Sequence, residues 1–280
     1  MNYILYNPKS GAKKDDSKIE ELKQELNLKE ATTLSVLEIN YDEFLSSLTE
    51  TDNVYICGGD GTLNRAVNIL YNKQLPCPFY YHAKGTGNDF ATDVANDMVN
   101  NCFYLNEHIK HLPRVIVDGE EYRFVNGIGF GIDGEACRVA DEKTAKGETN
   151  IDYAAISVNL LLFHYKKPKA TIEIDGKTYN FKNVWLASSM KGVYYGGGMK
   201  IAPSQDRYSN DLTFVCLHRR CRFTTLIAFP SLFKGEHINK KGLTTILKGK
   251  HIKVTFSHPM ALQIDGETKL NVTSYEVFAD

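Results

Sequence analysis

At 280 residues, with 42% hydrophobic and 24% charged residues, the chain has the make-up of a soluble globular protein with room for two modest domains, each burying its own core. A formal net charge of −1 excludes a global field steering it to nucleic acid, so any attraction to an anionic surface has to be local. Cys57, Cys77, Cys102, Cys137, Cys216 and Cys221 form no C-x-x-C pair and read as reduced thiols, not staples or zinc ligands.

The chain opens on a strand-like Tyr3-Ile4-Leu5-Tyr6 with no basic head or cleavage site, which points to the cytoplasm. Asn7-Pro8-Lys9-Ser10-Gly11 then turns toward a helix carrying Ile19, Leu22 and Leu26 on one face, with Ser17 and Glu20 as a capping box. A strand over residues 33–39, a short helix over 41–48 and a strand over 54–57 follow. That last strand stops at Gly58-Gly59-Asp60-Gly61-Thr62, where a helix with Leu63, Val67 and Leu70 begins. A fourth strand over 78–82 ends at Gly85-Thr86-Gly87, and Asn88 can start a helix to about residue 96. Four strand-to-helix units in a row predict a doubly wound parallel α/β domain over residues 1–110, with ligands beyond the strands' carboxyl ends.

From His111 the pattern changes to hairpins. Asp118-Gly119 and Asp175-Gly176 each separate two alternating runs, a strong signal for two-residue turns. Further strands are expected over 184–188, 212–217, 251–256 and 261–264, with helices over 153–165 and from Phe223 to about Phe233, the latter bent or ended at Pro230. Residues 111–280 therefore read as an antiparallel β-sandwich-like domain with inserted helices, its last residues expected to pack back on the first domain. The apolar segment 153–165 is too short to span a bilayer.

A turn of glycines opening a helix lets backbone approach a phosphate, while the first N–H groups of the helix favour anions. Asp60 inside such a turn repels phosphate unless a divalent cation lies between them, which makes Mg²⁺ the expected metal and Asp60 its ligand. The alternative is a plain α/β connection with Thr62 as a cap, and Asn88 or Asp89 could likewise be no more than a helix cap. Gly129-Phe130-Gly131-Ile132-Asp133-Gly134 fits the spacing of a dinucleotide fingerprint. With the polar stretch 142–150 after it and no βαβ unit, it reads as a tight passage instead.

Gly58-Gly59-Asp60-Gly61-Thr62-Leu63-Asn64 resembles the signature of the lipid kinases whose catalytic domain is named after diacylglycerol kinase, a family that includes sphingosine and ceramide kinases. A bare Gly-Gly-Asp-Gly-Thr also occurs in NAD kinases. Asn7-Pro8-Lys9-Ser10-Gly11, Gly85-Thr86-Gly87-Asn88-Asp89 and Ile264-Asp265-Gly266-Glu267 match the family in the same order. The resemblance implies an ATP-dependent kinase acting on a lipid hydroxyl, with diacylglycerol the first expectation. Asn7, Pro8, Ser10, Gly11, Gly58, Gly59, Asp60, Gly61, Thr62, Asn64 and Thr86 are then expected at the nucleotide and Asp89 near the acceptor. Glu267 is expected as the general base, although by spacing alone it matches Glu120 after Asp118-Gly119. Bacterial members hold a structural magnesium with an Asp-Gly pair after an Ala-Pro turn; here Ala202-Pro203 leads to Ser209-Asn210, with Asp206 and Asp211 nearby. Arg219, Arg220 and Arg222, ahead of an apolar helix, suggest a peripheral contact at the inner face of the membrane. An NAD kinase and a catalytically silent nucleotide- or lipid-binding module are the other two readings.

Overall fold

The computed structural model describes residues 1–8, 16–85, 87–148, 151–219, 221–240 and 242–279, with backbone only at 16–18. The side chain of Ser17 and all of Ser10, Gly11, Thr86 and Arg220 lie outside the described residues. The chain divides into two compact units, Met1–Leu112 and Pro113–Asp280.

In the first unit β1 (Asn2–Tyr6), α1 (Asp16–Glu25), β2 (Thr32–Ser35), α2 (Tyr41–Ser47), β3 (Asn53–Gly58), α3 (Asp60–Leu70), β4 (Phe79–Ala83), α4 (Asp89–Asp93), β5 (Phe103–Tyr104) and α5 (Leu105–Lys110) follow one another. Among the described residues the sheet has five strands in the order β2-β1-β3-β4-β5. The first four are parallel, and β5 pairs antiparallel with β4, so the sheet is mixed where an all-parallel one was expected. β2 stops at Ser35, short of Ile39, because the Ser35 carbonyl accepts the N–H groups of Glu38 and Ile39 and turns the chain. Ile4, Leu5, Val54, Ile56, Phe79 and Tyr81 are fully buried, as strands covered on both faces require. The chain leaves β1 for β2 on one side and returns to β3 on the other. The carboxyl ends of β1 and β3 are thus the switch point where open α/β sheets bind ligands.

The second unit comprises β6 (Arg114–Val117), β7 (Glu120–Arg123), β8 (Gly127–Gly131), α6 (Ile132–Ala145), α7 (Tyr153–Asn159), β9 (Ala170–Ile174), β10 (Lys177–Phe181), β11 (Val184–Met190), β12 (Leu212–His218), α8 (Arg222–Ala228), α9 (Pro230–Lys234), β13 (Thr244–Gly249), β14 (His251–Ile264) and β15 (Glu267–Phe278). Among the described residues ten strands form one antiparallel system, β13-β12-β11-β8-β14-β15-β6-β7, with β9 and β10 branching from β14. β14 is a single strand where two were expected; its register slips between Thr255 and Met260, around Pro259, a residue with no N–H for a ladder. Its first half pairs with β9 and its second with β8, so one strand serves both halves of the fold. A core of Phe130, Phe214, Phe256, Leu262 and Tyr275 fills one side of the β8–β11–β12 region, and Trp185, Leu186, Val215 and Leu217 face the helices on the other. β15 runs inside this sheet to Phe278 against β14 and β6.

α6 was not anticipated. Its buried residues are Ile132, Asp133, Gly134, Ala136 and Ala140, and the glycine and alanines among them give little hydrophobic periodicity yet let the helix lie close on β14. A Cβ on Gly134 would stand 2.2 Å from the Ala261 carbonyl oxygen. Gly131, at φ +136°, lies against the Trp185 carbonyl, and a Cβ on Gly129 would meet Ser188 Oγ at 2.3 Å. The space beside the fingerprint-like glycines is therefore filled by the chain's own packing. The segment 153–165 is α7 continued by a π-helical turn, Leu160–His164, and Pro230 is the first residue of α9, dividing it from α8. No helix among the described residues is long and apolar enough to cross a membrane.

Candidate active site

In the first unit the motif turns converge at the ends of β1, β3 and β4. α3 starts at the switch point from Gly59, an N-cap with no side chain and so no side-chain cap hydrogen bond of its own. Asn7, just past β1, donates from Nδ2 to Thr62 Oγ1 at 3.2 Å, tying β1 to the first turn of α3. A Cβ on Gly58 would stand 2.6 Å from the Thr62 side chain. The Gly58 carbonyl accepts from Lys84 N at 2.8 Å and from the Tyr81 hydroxyl at 3.0 Å. Burial, reinforced by the Asp60 charge, pushes the Tyr81 phenol well up, so it remains a donor. Asn64 is buried, and Pro8 is half-buried.

Asp60 has a role that its motif does not announce. Its Oδ2 accepts the N–H of Asp89 and its Oδ1 the N–H of Phe90, both at 3.0 Å, so it caps α4 across the turn. The residue expected to cap that helix, Asn88, is left-handed (φ +51°) and turns its Oδ1 back to Gly85 N at 2.9 Å. Gly59 and Gly85 pack backbone to backbone, which no larger residue allows. Asp89, 5% exposed, opens α4. One or two carboxylates are what Mg²⁺ takes from a protein when phosphates supply the rest, and Asp60 is the acid of this turn whose chemistry fits that ion.

His82 and Lys84 hold α1: Glu25 accepts from His82 Nε2 at 3.0 Å and from Lys84 Nζ at 2.5 Å, while the Asn101 carbonyl faces His82 Nδ1 at 2.8 Å. Burial works to raise the Glu25 carboxyl, but the hydrogen bonds and charges of Lys84 and His82 outweigh it and hold the group below its usual range.

In the second unit the Asp118, Asp175 and Asp265 dipeptides all form turns with both residues at positive φ, the geometry of two-residue hairpins. Their carboxylates differ. Asp118 is exposed, and Asp175 accepts from the N–H groups of Lys250 and His251. Asp265, 8% exposed, accepts three N–H groups, from Val125 at 2.6 Å, Asn126 at 2.8 Å and Gly127 at 2.9 Å. Glu267 opens β15 just beyond and is exposed. Sequence reasoning missed Asp265, because its partners lie 138–140 residues away and only its membership of the motif hinted at a function.

A second missed group is Asp133, in the first turn of α6. Its Oδ2 accepts from Tyr195 Oη at 3.1 Å, Gln263 Nε2 at 3.3 Å and Ser188 Oγ at 3.4 Å. Its Oδ1 is buried with no hydrogen-bond partner among the described residues, and burial pushes the carboxyl upward. Asp133 lines a narrow cavity of about 30 Å³ whose other walls include Leu161, Trp185, Met199, Phe229 and His237. Gln263 also accepts Gly266 N at 3.0 Å, which links this group to the Asp265 turn.

The Asp-Gly pair implied for the structural magnesium is replaced here by Ser209-Asn210. Among the described residues no group of three or more His, Cys, Asp or Glu could hold a metal, and the carbonyls of Asp206, Ser209 and Asp211 all accept from side chains of the chain itself.

Residues 2–117 match the family described as the diacylglycerol kinase catalytic domain, and residues 126–276 match the YegS C-terminal NAD kinase beta sandwich-like domain. A diacylglycerol kinase of Bacillus subtilis (strain 168) is 26% identical over 277 residues, covering 94% of this chain and 88% of that protein. A diacylglycerol kinase of Mycobacterium tuberculosis (strain H37Rv) is 24% identical over 217 residues, 72% of this chain and 67% of that one. The crystal structure of a diacylglycerol kinase from Bacillus anthracis str. Sterne superposes with a TM-score of 0.64 at 20% identity, over 99% of this chain and 94% of that one, a likeness of fold. With both halves matched in order, the chain belongs to the diacylglycerol kinase catalytic-domain family of lipid kinases, with a YegS-type C-terminal domain.

Proposed function

We propose that the chain transfers the γ-phosphoryl group of ATP to a hydroxyl of a membrane lipid, diacylglycerol being the first candidate and phosphatidic acid its product. The observation that carries this reading is the uncapped start of α3 at the switch point, with Asp60 at its edge. The first unit is the nucleotide domain: the N–H groups of Gly59, Gly61 and Thr62 receive phosphate oxygens, with Asn7, Pro8, Gly58 and Asn64 shaping the turn and Ser10, Gly11 and Thr86 completing it. Asp60 would hold Mg²⁺, which when bound would neutralise charge on the phosphates. The acceptor oxygen attacks the γ-phosphorus as the bond to the ADP oxygen breaks, and the hydroxyl proton passes to Glu267. Asp89 orients the acceptor. The second unit is the lipid domain, in which the cavity beside Asp133 receives the apolar part of the acceptor once α8 and α9 yield.

The membrane contact is reassigned. Arg222 was expected at the headgroups, but its guanidinium donates to the carbonyls of Leu161 at 2.7 Å and Tyr165 at 2.8 Å, tying α8 to the π turn. What those two segments present outward is apolar: Phe163 is 68% exposed, Phe223 72% and Ile227 77%. Such residues enter the acyl boundary of a bilayer, with Arg219 and Lys166 meeting anionic headgroups and Arg220, outside the described residues, kept in that role from the sequence alone.

Incubation with labelled ATP and Mg²⁺, offering diacylglycerol, sphingosine, ceramide, a polyprenol and NAD in parallel, tests the assignment. Label in a lipid is expected. Label in NAD alone, or in nothing while ATP binds, would replace the reading by an NAD kinase or a silent module respectively.

A further inference from the structure

We propose that Lys191 and Arg207 do in this chain the work of a structural cation, fixing the loop over residues 205–211 and, through Asn126, the hairpin that carries Glu267. The kinetic part of this inference rests on Glu267 being the general base; the metal part does not.

The loop has closed on itself. The Asp206 carbonyl accepts from Gln205 Nε2 at 2.9 Å and Ser209 Oγ at 2.8 Å, and the Asp211 carbonyl accepts from the same two groups at 2.9 and 3.3 Å. Asp206 Oδ1 takes Tyr208 N at 3.0 Å, and Gln205 Oε1 takes Thr213 Oγ1 at 2.6 Å. The Ser209 carbonyl faces Lys191 Nζ at 3.1 Å. Ca²⁺ and Mg²⁺ both require a shell of oxygens directed at one point. Here the carbonyls of Asp206, Ser209 and Asp211 are directed at amide, hydroxyl and ammonium donors of the chain itself. Lys191 is 4% exposed and Arg207 7%, burial that long cationic side chains accept only where fixed acceptors receive them.

Both residues lead to Asn126, Arg207 through its guanidinium and Lys191 through its backbone N–H, while the Lys191 ammonium holds the loop at the Ser209 carbonyl. Arg207 donates from Nη1 to the Val125 carbonyl at 2.5 Å and from Nη2 to Asn126 Oδ1 at 3.0 Å. The Asn126 carbonyl accepts the N–H groups of Lys191 and Gly192, each at 2.9 Å. The peptide between Val125 and Asn126 is thus held at both ends, its carbonyl by a guanidinium and its N–H by the Asp265 carboxylate. A peptide dipole placed between opposite charges is polarised by each and strengthens both bonds. Asp265 is half of the turn, and Glu267 pairs with Ile264 across it, so a shift at Arg207 reaches the base through three hydrogen-bonded links. Arg207 is a positioning residue in this scheme, not a catalytic one.

Thermal unfolding of the full chain without nucleotide, with EDTA and then with millimolar Mg²⁺ or Ca²⁺, tests the metal part. The melting temperature is expected to stay within about 1 °C across these conditions, while Lys191→Met lowers it by roughly 5 °C. A fall of the wild-type melting temperature on chelation would overturn the proposal. For positioning, Arg207→Met is expected to lower kcat about 10²-fold with KM for ATP unchanged, and Arg207→Lys to restore part of it. Wild-type kcat in a folded Arg207→Met protein would overturn the positioning role; if that variant does not fold, the same measurement on Arg207→Lys decides it, with an unaltered kcat counting against. Retained turnover in Glu267→Gln would instead remove the base assignment and leave the chelation result standing.

Discussion

Asp265 and Glu267 stand two residues apart on one hairpin, and only Asp265 is buried: its carboxylate receives three backbone N–H groups while Glu267 faces solvent at the start of β15. The two acids should therefore fail differently. Glu267→Gln is expected to abolish transfer, leave the melting temperature unchanged and preserve ATP binding by calorimetry. Asp265→Asn offers one acceptor where two oxygens served three donors, so it should cost about 2 kcal/mol or more, read by urea unfolding, together with loss of kcat. A stable, active Asp265→Asn would show that the nest of N–H groups is dispensable.

The contact of Gly59 with Gly85 predicts the most damaging small substitution in the first unit. A Cβ on Gly85 would lie 2.6 Å from Gly59 Cα, backbone that cannot rotate away. Gly85→Ala should destabilise by roughly 2 kcal/mol and weaken nucleotide binding well beyond that of Gly119→Ala, whose Cβ meets nothing within 4 Å. Gly119→Ala carries its own strain at φ +84°, so equal ATP affinities would show that the turn contact is not what shapes the nucleotide site.

Asp133 sets a pH dependence whose sign can be worked out. Burial raises its pKa in the folded protein above the unfolded value of about 4. Between those two values the folded state holds the proton and the unfolded state does not, so stability falls as pH rises through the window. Asparagine never ionises. The melting temperature of Asp133→Asn relative to wild type should therefore climb from pH 4 to pH 8, and a difference independent of pH would show that Asp133 is not held protonated.

The outward apolar face of α8 and the π turn predicts vesicle binding through side chains other than Arg222. Phe223→Ser with Ile227→Ser should abolish sedimentation with phosphatidylglycerol vesicles and activity on vesicle-borne lipid, while activity on a short-chain lipid in detergent micelles survives. Arg222→Gln should act on stability instead. Cys221 provides the probe: hydrogen bonding at Thr224 lowers its pKa and it is exposed, while burial pushes Cys77 and Cys102 up to about 11 and Cys137 to about 12. It should be alkylated first, and an environment-sensitive dye placed there should shift to the blue on vesicles. An unshifted dye on a protein that sediments would move the contact elsewhere.

The features that were legible in the sequence are those written in local chemistry. Asp118-Gly119 and Asp175-Gly176 announced hairpins because positive φ is a property of the residue itself, and Gly58 and Gly59 announced a turn in which neighbours approach too closely for a side chain. α6 escaped because close packing on β14 selects glycine and alanine, which weaken the very periodicity that marks a helix. The double cap by Asp60, the nest around Asp265 and the tie made by Arg222 escaped for another reason. Each joins segments far apart in sequence, and identical dipeptides such as those at Asp118 and Asp265 meet different neighbours only once the chain has folded.

Because the Asp60 carboxylate fastens the start of α4 to the start of α3, the second and third glycine turns of the signature set cannot drift independently. They form a stiff jaw whose ordering entropy is lost once, when the protein folds, and not again at each turnover. If the proposed function holds, an arriving nucleotide would find its seat already shaped, and product would leave without the seat having to melt.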